Sequence, residues 1–277
     1  AYEEFWKKSN YLSMGLKFFG TEKGHSVAIH SENRPEWFIA DIGIQAIGAI
    51  SVGLYPTNPA SEVEYLLSHS ETKILFAEDQ EQVDKALEVI DNLPELEKIV
   101  YFEDRGLYNY DHPKLMHFDE FLEIGKSEFE SFPEYVDQQL ETLVDDDVAF
   151  LVYTSGTTGR PKGSMITHGN ISWVASQIPN FSLVESVKSK EPQFLSYLPL
   201  CHIFGRLTDL LIASHTMATI NFAESIDTVQ MDLAEIQPTI FPAVPRILER
   251  MHSAAIVRMK DATFIKRQLF KVLIKDL

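Results

Sequence analysis

The apolar run Val148-Ala149-Phe150-Leu151-Val152 and the stretch after it, Tyr153-Thr154-Ser155-Gly156-Thr157-Thr158-Gly159-Arg160-Pro161-Lys162-Gly163, decide how the chain reads. The run predicts a buried strand before the glycine-rich stretch, and a helix is expected after Thr167. Three glycines open backbone angles closed to other residues, so successive N–H groups can turn toward one point and form an anion-binding concavity. Hydroxyls of Thr154, Ser155, Thr157 and Thr158 add donors, and Lys162 adds a mobile positive charge. These groups suit a polyphosphate. A flexible Gly/Ser/Thr linker is the competing reading, but linkers seldom follow a buried strand or carry a single lysine beside a proline.

Spacing excludes the two commoner phosphate loops. A Walker A loop has Gly before its Lys and Ser or Thr after it, whereas Pro161 precedes Lys162 and Gly163 follows. The Rossmann Gly-x-Gly-x-x-Gly register is met only by Gly156 and Gly159.

With 277 residues and 45% hydrophobic content, the chain can bury a substantial core, expected as two lobes because single cores stop growing near this size. A formal charge of −17 argues against a nucleic-acid partner, whose phosphates would be repelled. Phosphate binding therefore needs local positive charge. The single cysteine, Cys201, rules out an internal disulfide or a cysteine-based zinc site and suits a reducing cytoplasm. No stretch approaches the roughly twenty apolar residues that span a bilayer. The start lacks the basic region of a signal peptide, and also an initiating Met, so a trimmed chain is expected.

Working outward, the residues predict an amphipathic helix over Tyr2–Phe19 and a strand at Ser26–His30. A helix follows from Asn33 as N-cap and Pro35 in the first turn to about Gly48, then a strand at Ile50–Leu54. The alternation continues with a helix over Ser61–Ser70, a strand at Lys73–Phe76, a helix over Gln80–Ile90 and a strand at Lys98–Phe102. This rhythm indicates βαβ units and a parallel sheet. Between Glu103 and Asp147 it breaks, and the segment reads as a surface excursion, with Asp145-Asp146-Asp147 a solvated turn rather than a metal site. The helix after Thr167, running to about Gln177, is expected to point its positive end at the phosphates. A second βα series is predicted from strands at Gln193–Tyr197, Met217–Asn221 and Thr239–Phe241 and helices at Gly205–Ala213 and Thr228–Glu235. The open-sheet rule puts a ligand at the carboxyl ends of the strands, where Tyr153 onward emerges.

From Val244 to Leu277 the chain turns helical and basic. Arg246, Arg250, Arg258, Lys260, Lys266, Arg267, Lys271 and Lys275 stand against Glu249, Asp261 and Asp276, with Phe264, Ile265, Leu269, Phe270 and Leu273 interleaved. Two readings stay open. Packed helices with a solvated face are preferred; a face resting peripherally on an anionic membrane is the alternative.

The loop closely resembles the signature loop of the adenylate-forming (AMP-binding) superfamily, which includes acyl-CoA synthetases, luciferases and peptide-synthetase adenylation domains. Ser31-Glu32-Asn33-Arg34-Pro35-Glu36-Trp37, Leu54-Tyr55-Pro56-Thr57-Asn58, Tyr197-Leu198-Pro199-Leu200-Cys201-His202-Ile203-Phe204 and Val244-Pro245-Arg246 resemble stretches of its long-chain fatty-acid:CoA ligases. The resemblance implies an α/β fold of two related αβ lobes with mainly parallel sheets, the truncated large N-terminal domain of such an enzyme. A first lobe over 27–180 would carry the loop at 153–163, and 1–26 plus 190–277 would form part of a second. It also implies the chemistry: ATP and a fatty acid give an acyl adenylate and pyrophosphate, and the CoA thiol then displaces AMP.

By this resemblance Thr154, Ser155, Gly156, Thr157, Thr158, Gly159 and Lys162 hold the phosphates, Thr157 helps ligate Mg²⁺, and Lys162 and His202 are catalytic, His202 lying beside the acyl carboxylate. Without the motif His202 would read as a packed histidine at a strand end. Cys201 faces away from His202 on an extended segment and reads as a small packed residue, not a nucleophile. Arg246 reads equally as a helix-start ion pair and stays outside the site. The family's Tyr-Gly-x-Thr-Glu motif, ribose-binding Asp and C-terminal domain with its adenylation lysine have no match here. The 277 residues alone are accordingly expected to bind phosphate weakly and to make no acyl-CoA. Adenylation of another carboxylic acid, or non-catalytic nucleotide binding, is the alternative function. Acyl-chain length, oligomeric state and membrane attachment have no signal in the sequence.

Overall fold

The structure, a computed structural model, describes residues 2–154, 159–181, 184, 191–260 and 263. Strand β1 (Ser26–His30) is followed by helix α2 (Pro35–Ala46) and β2 (Ile50–Leu54). Next come α3 (Ala60–His69), β3 (Thr72–Ala77), α4 (Gln80–Glu88) and β4 (Lys98–Tyr101). With β5 (Leu115–His117), β6 (Val148–Thr154) and β7 (Lys162–Thr167) they build a seven-stranded sheet in the order β5-β4-β3-β1-β2-β6-β7. All neighbours are parallel except β6 and β7. The expected α/β class with a mainly parallel sheet is therefore what the chain forms.

The sheet is covered on both faces, which is why its central strands read as continuous apolar runs. Side chains alternate: Val27, Ile29, Ile74, Phe76 and Val100 enter one core with Trp37, Ile44 and Phe121, while Ala28, Val52, Leu75, Ala77 and Ile99 enter the other with Val63, Leu66 and Val83. Helix α1 (Tyr2–Phe18) lies on the first of these faces, with Leu12 and Leu16 in that core and Ser13 Oγ donating to Gly43 O at 2.8 Å. The expectation that the early helix joins the second lobe is thus corrected. Its apolar stripe finds α2 and α5 (Phe118–Ser131), while at its start Tyr2 donates to Ala218 O of the second lobe at 2.9 Å and Phe5 shares a cavity with Ile220 and Phe222.

The segment 103–147 is not a surface excursion. It supplies β5, the next strand of the sheet, and α5, whose Phe118, Phe121 and Leu122 are buried against Phe76 and Phe102. A shorter helix, α6 (Tyr135–Glu141), leads to the turn before β6, where Asp147 pairs with Lys23 at 2.6 Å and accepts from Val144 N.

The second lobe has β8 (Gln193–Ser196) parallel to β9 (Thr219–Phe222), with an isolated parallel bridge from Phe194 to Ile240 where a third strand was expected. Between them runs α8, α-helical at Ile203–Gly205 and Ala213–His215 and π-helical at Arg206–Ile212. Helices α9 (Val229–Ile236) and α10 (Pro245–Lys260) follow. The basic, apolar-interleaved residues beyond Lys260 lie almost wholly outside the described residues. Among those described, no helix is long and apolar enough to cross a membrane.

One buried ion pair joins the lobes. Arg206 of α8, 2% exposed, approaches fully buried Asp41 of α2 at 3.1 Å and donates to Ser51 Oγ, its guanidinium lying over the rings of Trp37 and Phe150. Removing one member strands the other charge in the interior, so Asp41→Ala is expected to cost about 3–5 kcal/mol in urea unfolding. Replacing Asp41 and Arg206 together by Leu and Met should recover most of that loss. A double-variant loss equal to the sum of the two single-variant losses would show that the pair is not coupled.

Candidate functional site

The loop leaves β6 at Thr154 and returns through β7, so the signature stretch is the turn of a hairpin, with Thr154 paired to Lys162 and Val148 to Thr167. The β7 strand was not expected, and it overturns the proposed helix-dipole contribution. Helix α7 (His168–Gln177) starts at the far end of β6, about 20 Å from the loop at strand rise, capped by the reciprocal Thr167–Asn170 bonds and tied to the turn by Gly169 N donating to Asp145 O. The macrodipole acts over about one turn. Positive charge at the loop must come from side chains and loop amides.

The descending leg of the loop is fixed from α3. Tyr65 donates to Pro161 O at 2.9 Å, and Arg160 lies 5.0 Å over the Tyr65 ring. Gly159 has φ +117°, open to glycine and strained for other residues. Lys162 is exposed, and its ammonium makes no ion pair or hydrogen bond with any described residue, which leaves it available to an anion. Ser155, Gly156, Thr157 and Thr158 lie outside the described residues.

At the carboxyl ends of β2 and β6 sits a cavity of about 370 Å³. Thr154, Tyr153 and Pro161 line it from the hairpin, Gly53, Tyr55, Asn58 and Glu62 from β2 and α3, and His202 closes it from the second lobe. The structure therefore brings Thr154 and His202 onto one cavity. Lys162 is held beside Thr154 by strand pairing, although it is not among the lining side chains. The cavity lies at the carboxyl edge, but over β2 and β6 rather than over β1 and β3, where the strand order reverses. Beyond the carboxyl end of β1, Arg34 pairs with Glu36 at 2.7 Å, Glu103 at 2.8 Å and Glu78 at 3.8 Å.

His202 is placed by two contacts far away in sequence. Asn33, expected as an N-cap, caps nothing; the cap position of α2 is Arg34, without a side-chain bond. Asn33 instead reaches the second lobe, donating to Ser196 Oγ at 2.9 Å and Leu198 O at 2.8 Å and accepting from Leu200 N at 3.1 Å. A residue that satisfies the backbone of another segment outranks a cap that water can replace. The 199–202 stretch then lies so close to β2 that a Cβ on Gly53 would fall 2.8 Å from Cys201 Cα. Cys201 is buried, its thiol pushed up to about 12 chiefly by burial, so it is no nucleophile. His202 emerges exposed on the other side, its Nδ1 accepting from Phe204 N at 3.1 Å.

Tyr55 and Tyr153 were missed as site residues. Burial is the main cause pushing both phenols up to about 12, so at neutral pH they are uncharged donors on the cavity wall. Tyr153 is oriented by His69 Nδ1 at 2.8 Å. Behind Tyr55, buried His30 holds Tyr55 O through Nε2 at 3.1 Å, while its Nδ1 has no described partner. Position at the end of a strand next to the loop strand was the available signal, but β2 and β6 are almost a hundred residues apart.

Those features define an adenylate-forming architecture, a loop-bearing parallel α/β lobe with a second lobe's histidine over its carboxyl edge. The chain belongs to the AMP-binding enzyme family, which it matches over residues 1–271. It is 32% identical over 273 residues to the long-chain-fatty-acid–CoA ligase ACSBG2 of Xenopus laevis, an alignment covering 97% of this chain and 36% of that protein. Long chain acyl-CoA synthetase 4 of Arabidopsis thaliana is 32% identical over 283 residues, covering 98% and 40%. The crystal structure of the anthranilate CoA ligase AuaEII in complex with anthranoyl-AMP superposes with a TM-score of 0.68 at 24% identity, over 86% of this chain and 43% of that one. The chain spans about two fifths of the length of these curated relatives.

Two outcomes follow from the geometry. Gly53→Ala must push the Cys201 backbone away and is expected to lower unfolding stability by about 1–3 kcal/mol and to move the His202 ring resonances. Unchanged His202 resonances would mean that its segment does not rest on β2. Burial lowers His30 from 6.5 to about 4, so between these values the unfolded chain binds a proton the folded chain refuses. Stability from this group is full above pH 6.5 and falls as pH drops toward 4, by about 3 kcal/mol at most. His30→Gln should flatten that part of the stability–pH curve relative to wild type.

Proposed function

We propose that the chain forms the phosphate-gripping and acid-binding part of an ATP-dependent long-chain fatty-acid:CoA ligase, which activates the acid as acyl-AMP and transfers it to CoA. The observation that carries this reading is the meeting of the hairpin loop and His202 on one cavity, with an apolar cavity of about 630 Å³ directly behind the His202 segment. Ile203, next to His202, lines that second cavity with Phe150, Ile166, Ile171, Val174 and Ile178. An acyl tail there would gain about 0.8 kcal/mol per buried methylene, while the carboxylate stays at the polar edge near His202.

In this reading Lys162, Thr154 and the loop residues Ser155–Gly159 hold the ATP phosphates, and Lys162 stabilises the charge that moves onto pyrophosphate as the carboxylate oxygen attacks the α-phosphorus. Tyr55 and Tyr153 offer neutral donors beside the same space. Magnesium, if held by Thr157 and the phosphates, would neutralise part of the triphosphate charge; among the described residues no cluster of three or more His, Cys, Asp or Glu side chains could hold a metal alone. CoA is the thiol acceptor of the second half-reaction. The enzyme would act in the cytoplasm, with peripheral membrane contact through the basic stretch as the alternative to packed helices.

The test is acid-dependent exchange of labelled pyrophosphate into ATP by the full-length protein that carries this chain, with saturated fatty acids and aromatic acids side by side. Stimulation by fatty acids is expected. Stimulation by aromatic acids alone would replace the fatty-acid assignment, and no stimulation by any acid would favour a non-catalytic nucleotide-binding role. Lys162→Ala is expected to slow the exchange by about 10²–10³-fold, as for removal of one preorganised charge-stabilising donor.

A further inference from the structure

Two apolar cavities flank α8, the larger of about 630 Å³ already described and a smaller one of about 340 Å³ lined by Phe5, Phe38, Ile220 and Phe222. Ile203, Leu207 and Leu211, four apart along α8, face only the larger cavity. The adjoining row, Arg206, Leu210 and Ser214, forms the boundary, and Leu210 and Ser214 line both cavities. The wall between the two spaces is thus one side chain thick.

The three boundary residues differ in what they can do. Arg206 is locked by Asp41 and Ser51 between two aromatic rings and cannot swing aside without stranding a buried charge. Ser214 is exposed and too small to close the gap. Leu210 is buried, makes no polar contact, and has staggered rotamers through which its isobutyl group can move. It sits in the π-helical segment, whose wider turn is a recurrent feature of functional helix sites.

We propose that Leu210 is the partition that sets the longest acyl chain the site accepts, and that the smaller cavity receives the distal methylenes of chains that outrun the larger one when the Leu210 side chain turns away. This rests on the fatty-acid reading above. The occupant of the smaller cavity is therefore the end of the substrate's own alkyl chain: its aromatic and aliphatic walls suit methylenes, and it meets the larger cavity at Leu210 and Ser214.

The chain-length profile of acid-dependent pyrophosphate exchange in the full-length protein tests this, with a homologous series of saturated acids. Leu210→Ala is expected to move the profile toward longer acids, with a gain of about fourfold in apparent affinity for each methylene beyond the wild-type limit. Ser214→Trp, at an exposed position that should not disturb folding, blocks the same passage and is expected to remove the longest acids from the profile while shorter ones respond as in wild type. It decides the matter if Leu210→Ala fails to fold. Coincident profiles for wild type and Ser214→Trp, and for Leu210→Ala where it folds, would overturn the partition while leaving the fatty-acid reading intact. A wild-type protein that answers to no fatty acid would overturn both.

Discussion

A guanidinium taken out of water must be met by a partner or the fold does not form, and Arg206 imposes that condition on both lobes at once. Its partners, Asp41, Ser51, Trp37 and Phe150, come from α2, β2 and β6, while Arg206 itself belongs to α8. The pair stands at ion-pair distance without full hydrogen-bond alignment, and Nε and Nη1 have no described partner. Ring faces compensate in part through cation–π attraction. Such an arrangement is a poor source of stability and a good source of register. Sliding α8 by one residue would leave a buried charge facing apolar walls, so the helix has one seat, and His202, four residues before Arg206 and joined to it by Arg206 N donating to His202 O, inherits that seat.

The same logic explains which parts of the chain were legible in its sequence. Strands β1 and β2 fall on the predicted residues because both are short apolar runs closed by residues that cannot continue them. The α5 helix was equally legible in principle, since Phe118, Phe121, Leu122 and Gly125 follow a helical period, but the break in the strand–helix rhythm after Glu103 pointed to a surface excursion. Strand β7 gave little signal: Lys162-Gly163-Ser164-Met165-Ile166-Thr167 has no buried residue, Met165 is 68% exposed, and a clean alternation is lacking. The residues of α7 were expected, but without β7 its start was set beside the loop, whereas an antiparallel return carries the chain to the opposite end of the sheet. Thr154 and His202 come together on one cavity for a different reason. Each lies beside a residue whose geometry leaves little choice, the end of a buried strand in one case and a packed cysteine in the other.

What no local pattern could supply is the role of Asn33. Read among its neighbours, an Asn two residues before Pro35 is a helix cap; in the fold its amide is spent on three groups more than 160 residues away. Long-range satisfaction of backbone polar groups is invisible to periodicity, and so is the closeness of Gly53 to Cys201. Both are consequences of topology, and both act on the one segment that carries the second lobe's contribution to the site.

Strand β2 is where these constraints converge. It lies between β1 and β6, so its carboxyl end is next to the loop strand, and Ser51 and Gly53 share one face, opposite the buried Val52 and Leu54. Ser51 receives Arg206, Gly53 receives the Cys201 backbone, and Tyr55, just beyond the strand, stands on the cavity wall with its carbonyl held by His30. A rigid, fully covered strand therefore measures the separation between the hairpin that would grip phosphate and the histidine that would lie near a carboxylate. Two anions brought together in a chain of net charge −17 repel each other and their surroundings. Holding them at a fixed distance cannot be left to loops, which relax away from like charge; it requires elements whose displacement would open a packed core. The candidate cavity stands at the end of such an element, β2, while the reversal point carries Arg34 paired to its carboxylates.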